Sequence, residues 1–401
     1  MVNGNMIKKL VKKAGSLFNI SIIYTFIVLS ILFFCGCDRE DPSSTIQDHS
    51  IIPHYEDRYY LNSLSPKLQN SLITLYKSII AFEESCTFPE QLSVEEADLI
   101  ITVLSYDCPE LFQFAHNDTM HFITVNNMVN GIILPYTMDK AEYDLAYEKC
   151  MDMIGGISEH MQGMSKREKE KYVYDKLAAL ITYSTAAKNC ENAFGALING
   201  YAKCDGISLA MKWIMEENGI PTYVVTGKKD DNETGHAWNA VKFGETYYDL
   251  DLSSDVDTEN KVMPLYGAYN CDRNWISSLY PVYTVLSRNF DLPGQFENHG
   301  SRLDGMIFVN HGDNIQETLF AALNNGLKEA GDSGNKDSDE DSGTSGKCLL
   351  QFEDESDYLT FINNLSIYMR VWYSRNELYG DYTINYLDKF KVCGIDFNAA
   401  S

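Results

Sequence analysis

The chain has 401 residues, 45% of them hydrophobic, and a formal net charge of -25 at pH 7. This length and apolar fraction exclude a disordered chain and allow a sizeable core shared by two or three domains. The acidic balance argues against a nucleic-acid partner, because nucleic-acid binding selects for basic surfaces.

Residues 1–37 have the pattern of an export signal: four lysines and no acid, then an apolar run that ends in "FFCGC". Gly36-Cys37 resembles the lipobox of bacterial lipoproteins, which predicts lipidation at Cys37, although Phe34 stands where that box usually has Leu, Val or Ile. An uncleaved membrane helix is the alternative, since the run approaches the roughly 20 residues that span a bilayer. Residues 38–55 are predicted to be a polar tether. Both interpretations place the rest of the chain outside the cytoplasm, anchored to the cell membrane.

Residues 56–160 are predicted to be a helical N-terminal region. Pro66 after Ser65 suits the first position of a helix, and "SVEE" at 93–96 has the spacing of a capping box. A third helix is expected from about Asp139 to His160.

The ten cysteines contain no CxxC pair, and they lack the even spacing of a small disulfide scaffold. Apart from Cys35, Cys37 and Cys204, seven remain, an odd number that cannot all pair. Free cysteine is usually buried, so most of these are predicted to be small apolar core residues. They are Cys86, Cys108, Cys150, Cys190, Cys271, Cys348 and Cys393.

The segment "NGYAKCDGISLAMKWIMEENGIPTYVVTG", residues 199–227, predicts a helix that begins at or beside Cys204. Apolar residues from Ile207 to Ile214 recur at helical spacing, and Gly219 ends the helix. At a helix N-terminus, unpaired N–H groups and the positive end of the dipole favour a thiolate, which is the nucleophilic form of cysteine.

The stretch "GHAWNAVKFGETYYDLDL" predicts a β-hairpin with its turn at Gly244. Alternation puts His236 and Trp238 on one face of the first strand, and Asp249 and Asp251 on one face of the second. Folding back brings His236 opposite or diagonal to Asp251. A carboxylate there can fix the imidazole tautomer and leave the other nitrogen to accept the cysteine proton, as in a Cys-His-Asp triad.

These motifs, in this order, resemble the transglutaminase-like superfamily over residues 164–256. The resemblance implies a papain-like core in which Cys204 is the nucleophile, His236 the base and Asp251 the orienting carboxylate, with no cofactor. It also implies thiol acyl transfer at amide bonds of a protein or peptide, including cell-wall peptide. The stretch "YDCPELF" at 106–112 resembles the leader of surface transglutaminase-like proteins from Gram-positive anaerobes.

The sequence departs from the family pattern in two places. Ala202-Lys203 occupies the step before the cysteine, and Ser254 replaces a Trp that is common after the aspartate. The Cys204 N–H is the expected oxyanion donor, and a second donor is not named by the sequence. Trp238 is interpreted either as core packing or as a shield for the active site. A zinc site is the chemical alternative, but one Cys and one His are a poor ligand set.

Residues 300–396 are predicted to be a small α+β domain: strand and helix twice, then paired strands. Residues 331–347, "GDSGNKDSDEDSGTSGK", contain no apolar side chain and are predicted to be a flexible acidic insertion.

The sequence therefore predicts an α+β protein with a papain-like, transglutaminase-like catalytic domain at 161–290. The predicted function is that of a cysteine peptidase or amidase. The alternatives are a cross-linking transglutaminase, in which a lysine amine replaces water as acceptor, and a non-catalytic surface binding or scaffold protein.

Overall fold

A computed structural model describes residues 48–115, 120–228, 235–256, 264–271, 273–280, 282–283, 286, 289–290, 292, 295–296, 306–332, 344–388 and 391–400. The predicted export signal with Cys37 lies outside the described residues, as does most of the predicted tether. Among the described residues, no helix combines the length and the apolar character that crossing a membrane requires.

The region 56–160 contains a small sheet as well as helices. The elements are α1 (Tyr59–Asn62), α2 (Pro66–Ile80), β1 (Ser85–Leu92), α3 (Val94–Asp107), β2 (His121–Val125), β3 (Met128–Ile133) and α4 (Lys140–His160). The antiparallel sheet has the order β1-β3-β2. Our prediction of a helical region was therefore wrong for the residues of this sheet. The strands β2 and β3 pair because Asn126 and Asn127 form the turn between them. Their φ angles of 51° and 62° are those of a tight two-residue hairpin.

The predicted helix starts in this part of the chain are confirmed. Pro66 is the first residue of α2, and the Ser93 side chain accepts a hydrogen bond from the Glu96 N–H in a complete capping box before α3. Asp139 and Glu142 form a second such box before α4. Each box pairs N–H groups that the first helical turn leaves without partners.

The central part of the chain holds the long helices and the largest sheet. Its elements are α5 (Lys166–Leu180), β4 (Thr182–Tyr183), β5 (Tyr201–Ala202), α6 (Cys204–Glu217), β6 (Thr222–Lys228), β7 (Gly235–Phe243), β8 (Thr246–Leu250), α7 (Ser253–Val256), α8 (Arg273–Leu279), β9 (Val282–Tyr283) and β10 (Gln295–Phe296). The sheet order is β10-β8-β7-β6-β9. The predicted hairpin is confirmed as β7 and β8, which turn at Gly244 with Phe243 paired to Thr246.

This sheet separates two hydrophobic cores. Ala237 and Val241 of β7 pack in one core with residues of α6 and α5. Trp238 and Ala240, the alternate residues of β7, pack in the other core with α2 and α3. The sheet is therefore buried on both faces, and α6 lies against one of them.

A network of buried charges ties the N-terminal region to α6. Arg58 contacts Glu216 at 3.0 Å and Glu110 at 3.3 Å, while Lys212 lies 3.7 Å from Asp107. All five side chains are at most 4% exposed. An unpaired buried charge costs much free energy, so breaking these contacts is unfavourable. They therefore hold the C-terminal end of α6 in one position.

The C-terminal part has the predicted order of strand, helix, strand, helix and two paired strands. The elements are β11 (Met306–Val309), α9 (Ile315–Asp332), β12 (Thr344–Phe352), α10 (Glu355–Arg375), β13 (Tyr382–Leu387) and β14 (Val392–Ala399). The sheet order is β11-β12-β14-β13. The Gln351 side chain donates a hydrogen bond to the Gly267 carbonyl at 3.2 Å, so this sheet contacts the central region.

Both ends of the predicted acidic insertion, residues 331–347, lie in regular elements. Residues 333–343 lie outside the described residues, but α9 runs to Asp332 and β12 begins at Thr344. The polar start of β12 forms a strand because it pairs with β14, from Thr344 opposite Ala399 onwards. Because the chain mixes helices with strands that pair mostly antiparallel, the fold class is α+β, as predicted.

Candidate active site

Cys204 is the first residue of α6 and is 6% exposed to solvent. The preceding residue, Lys203, provides no side-chain cap. Its N–H donates to the Cys190 carbonyl at 2.8 Å, which holds the loop before the helix against the first turn. Gly206 permits this approach, since a Cβ there would lie 2.5 Å from the same carbonyl oxygen. A larger residue at position 206 would therefore clash with the loop before α6.

His236 and Asp251 meet across the hairpin. The ladder pairs Asn239 with Leu250 and ends there, which leaves His236 diagonal to Asp251 rather than opposite it. The His236 Nε2 lies 2.9 Å from the Asp251 Oδ2. Alternation allowed His236 to lie either opposite Asp251 or diagonal to it, and the structure shows the diagonal arrangement.

Cys204 acts on the His236 ring as well, since it contributes to raising the pKa of His236. Burial alone lowers the pKa of His236, but the Asp251 charge and the hydrogen bonds to Asp251 and Cys204 outweigh it and raise the pKa to about 9. Since Asp251 occupies Nε2, the nitrogen left to exchange a proton with the thiol is Nδ1. The three predicted residues are therefore brought together.

The Asp251 carboxylate is 1% exposed and is held by the residues that follow it. Oδ1 accepts from the Ser253 N–H at 3.1 Å and from the Ser253 hydroxyl at 2.5 Å, and Oδ2 accepts from the Ser254 hydroxyl at 3.1 Å. Hydrogen bonds of this kind favour the charged form of a buried carboxylate. Ser254, a departure from the family pattern, therefore supports the carboxylate that faces His236.

Asp249 has a different set of partners from Asp251. The Trp238 indole Nε1 donates to Oδ1 at 2.9 Å, and the Arg273 guanidinium contacts both oxygens, at 2.7 and 3.0 Å. Asp249 is fully buried, so this is a bidentate pair at low exposure. Asp249 thus fixes Trp238 and the start of α8.

Three aromatic rings stack at the start of β7. The Tyr280 ring lies 4.3 Å from the His236 ring, and the Trp238 ring lies 5.4 Å from Tyr280 and 6.0 Å from His236. Gly227 makes the space, since a Cβ there would lie 2.9 Å from the Trp238 ring and 3.1 Å from Tyr280. Trp238 is thus both packed in the core and adjacent to His236. Sequence reasoning missed Tyr280, because no spacing rule links it to the hairpin.

Charged and polar groups lie beside the start of α6. Lys203 Nζ is 3.4 Å from Glu191 and 3.3 Å from Asp205, and the Tyr106 hydroxyl donates to Asp205 at 3.1 Å. Tyr106 belongs to "YDCPELF", so this motif reaches the residue after Cys204. The sequence offered no signal for that contact across 99 positions.

The remaining cysteines and histidines fall elsewhere. All eight cysteines among the described residues are free and buried, as predicted for most of them. In that same part of the chain, the group of three side chains whose ligand atoms could share a metal ion is His311, Asp354 and Asp357, near the C-terminal sheet. The zinc alternative at Cys204 therefore finds no support in the geometry.

Comparison with known proteins agrees with the motif order. Residues 156–252 match the model of the transglutaminase-like superfamily. The chain carries a transglutaminase-like core. No curated protein matches the sequence significantly.

Three solved structures are similar to this chain at low scores. One is described as a TGase (17% identity, 57% of this chain, 59% of that chain, TM-score 0.26). Another is menin, in a structure said to reveal its binding site for the Mixed Lineage Leukemia protein. It is 14% identical, the match covers 49% of this chain and 33% of that chain, and the TM-score is 0.22. The third comes from Parabacteroides distasonis ATCC 8503 and is described as a suspected protease. It is 7% identical, the match covers 71% of this chain and 57% of that chain, and the TM-score is 0.26. This chain thus spans less than two thirds of each of these proteins, and TM-scores this low carry no argument about function.

Proposed function

We propose that the transglutaminase-like core is a thiol acyl-transfer enzyme that cleaves amide bonds of a protein or peptide. The observation that carries the proposal is the linked arrangement of Cys204, His236 and Asp251. His236 lies 2.9 Å from a buried carboxylate, and Cys204 is close enough to contribute to raising the pKa of its ring. A cysteine, a base and an orienting group in this relation make up the machinery of nucleophilic catalysis.

The chemistry follows from these contacts. Nδ1 of His236 takes the Cys204 proton, and the thiolate adds to the substrate carbonyl to give a tetrahedral oxyanion. The imidazolium returns the proton to the leaving amine, which departs as the C–N bond breaks and a thioester remains. His236 then removes a proton from water as it attacks the thioester, and the product acid leaves with the thiol restored. Asp251 stabilises the imidazolium throughout.

The acceptor in the second step separates hydrolysis from cross-linking. We propose water, which makes the protein a cysteine peptidase or amidase. The test uses a peptide library in ¹⁸O-water with a fluorescent primary amine, and compares wild type with Cys204→Ala. Cleaved peptides that carry ¹⁸O support hydrolysis. Amine incorporation in their place would indicate a transglutaminase, and no reaction beyond that of Cys204→Ala would favour the non-catalytic binding protein.

We further propose that the enzyme acts outside the cytoplasm, attached to the cell membrane through Cys37 or through an uncleaved N-terminal helix. The support is the sequence of residues 1–37 alone. Globomycin treatment separates the two modes: accumulation of an uncut precursor indicates lipidation, whereas unaffected processing together with membrane retention of Cys37→Ala indicates an uncleaved helix.

A further inference from the structure

Residues 268–271 connect the backbone around Asp251 to helix α5. At one end of this segment, the Ala268 carbonyl accepts a hydrogen bond from the Asp251 N–H at 2.9 Å. At the other end, Cys271 exchanges two backbone hydrogen bonds with Asp249, at 2.8 and 2.9 Å. Asp251 lies beyond the last residue of β8, so its backbone is held by this segment.

The two middle residues of the segment bind Glu170 of α5. The Tyr269 hydroxyl donates to the Glu170 Oε2 at 3.0 Å, and the Asn270 side-chain amide donates to the same oxygen at 2.9 Å. All three side chains are buried. One carboxyl oxygen thus holds both middle residues, while the residues on either side of them bond the backbone of the candidate active site.

The conformation of the segment needs this support. Asn270 has a φ angle of 51°, in the left-handed region that favours glycine and that other residues adopt only when the surrounding structure holds them there. A buried carboxyl is also unfavourable in a helix that packs in the core, where an apolar side chain would avoid the desolvation. The hydrogen bonds to Tyr269 and Asn270 give a reason for an acid at position 170.

We propose that Glu170 is a positioning residue: it fixes the segment 268–271, which in turn holds Asp251 against His236. The inference rests on the proposed function, because it assumes that His236 works as the base. Catalytic groups need such a supporting layer to stay within about 0.5 Å of the productive geometry. A misplacement of about 1 Å lowers a rate by as much as about 10²-fold.

The contact can be cut from either side. Glu170→Ala removes the acceptor, whereas Tyr269→Phe combined with Asn270→Gly removes both donors and keeps a residue that tolerates the left-handed backbone. Glu170→Gln is the conservative variant, since its amide oxygen can accept both hydrogen bonds. Val173→Ala is the control for lost stability alone, because Val173 lies in the same helix and in the same hydrophobic core as Tyr269.

Two measurements at matched folded fraction test the proposal. Single-turnover acylation by a peptide p-nitroanilide, of a sequence that wild type cleaves, gives the rate and the apparent substrate affinity. Proton NMR of the imidazole N–H that bonds Asp251, assigned by its loss in His236→Gln, reports the contact between these two residues without any substrate.

We expect Glu170→Ala and the double variant to acylate about 10- to 100-fold more slowly at unchanged substrate affinity, and to shift or lose the N–H signal. Glu170→Gln and Val173→Ala should keep the wild-type rate and signal. An unchanged signal when the contact is cut from both sides, or an equal loss in Val173→Ala, would overturn the positioning role. If no peptide acylates Cys204 in wild type while the signal still depends on Glu170, the proposed function fails and the hold on Asp251 remains.

Discussion

The Tyr280 ring stacks on the His236 imidazole, with the centroids 4.3 Å apart and the planes inclined by 18°. Tyr280 directly follows α8, whose first residue, Arg273, is held by the buried Asp249. One end of this short helix is thus fixed to the hairpin, and the other end covers the proposed base. The ring limits the orientations that His236 can adopt.

Tyr280→Ala should slow acylation by up to about tenfold, because an aromatic pair of this geometry contributes about 0.5–1.5 kcal/mol. Tyr280→Phe keeps the ring and should retain nearly the wild-type rate. Single-turnover acylation by a peptide amide measures both. If Tyr280→Phe loses as much as Tyr280→Ala, the stacked ring is not the cause.

The rate of acylation should depend on the charge of His236. Its pKa is raised to about 9, so the imidazolium that protonates the leaving amine is present below that pH and is lost above it. Acylation by an amide substrate should therefore fall as pH rises through about 9. In Asp251→Asn the charge that raises the pKa is gone while the burial that lowers it remains, so the fall should begin at lower pH. If the fall in acylation rate at high pH occurs at the same pH in Asp251→Asn as in wild type, Asp251 does not set the pKa of His236.

Asp251→Asn and Asp249→Asn should fail in different ways. Asp251→Asn keeps the fold but presents the wrong imidazole tautomer, and should lower turnover steeply, by on the order of 10⁴ in the serine-protease precedent. A cysteine enzyme should lose less than this, since the thiolate is a good nucleophile even with a poorly held base.

Asp249→Asn weakens the contact with Arg273 and should mainly lower stability, by about 3 kcal/mol. Urea unfolding and acylation rates at matched folded fraction measure the two effects. Equal loss of acylation in both variants would mean that the two carboxylates act as one unit.

The sequence predicted that Cys204, His236 and Asp251 lie together because the signals for their placement are local. The helix at Cys204 and the hairpin at Gly244 each follow from short-range periodicity, and the family order links them. Within the hairpin, alternation restricted His236 and Asp251 to two relative positions, and the ladder ending at Leu250 determined which one forms.

The features that the sequence did not reveal depend on contacts between distant positions. Arg58 is buried against Glu216, 158 residues away, and no local pattern distinguishes that arginine from a surface one. The Asn126-Asn127 turn is a different case. Two asparagines between Thr124-Val125 and Met128-Val129 are a usable hairpin signal, and the helical prediction overlooked it.

Glu170 should make the fold less stable as pH rises. Its carboxyl is fully buried, accepts from the Tyr269 hydroxyl and the Asn270 amide, and has its pKa raised by burial to about 7. The unfolded chain releases this proton near pH 4.5, so the contribution to stability is greatest below that value and is lost as pH rises to about 7.

Glu170→Gln cannot ionise and should be more stable than wild type at pH 8, by at most about 3 kcal/mol, with little difference at pH 4.5. Urea unfolding at the two values measures this. A weaker slope should persist in the variant, since burial also raises the pKa of Asp255, to about 6. Parallel pH profiles for wild type and variant would show that Glu170 is not the group responsible.

Selective reaction at Cys204 tests the central claim most directly. Burial raises the pKa of Cys150 and Cys348 to about 12 and that of Cys86 to about 11, which makes these thiols poor nucleophiles near neutral pH. Cys204 alone among the described cysteines combines a helix start with a histidine partner. The measurement is intact mass after limiting iodoacetamide, with peptide mapping and Cys204→Ala as control. The account predicts one adduct at Cys204 and none in the control; preferential labelling of Cys190 or Cys271 would contradict it.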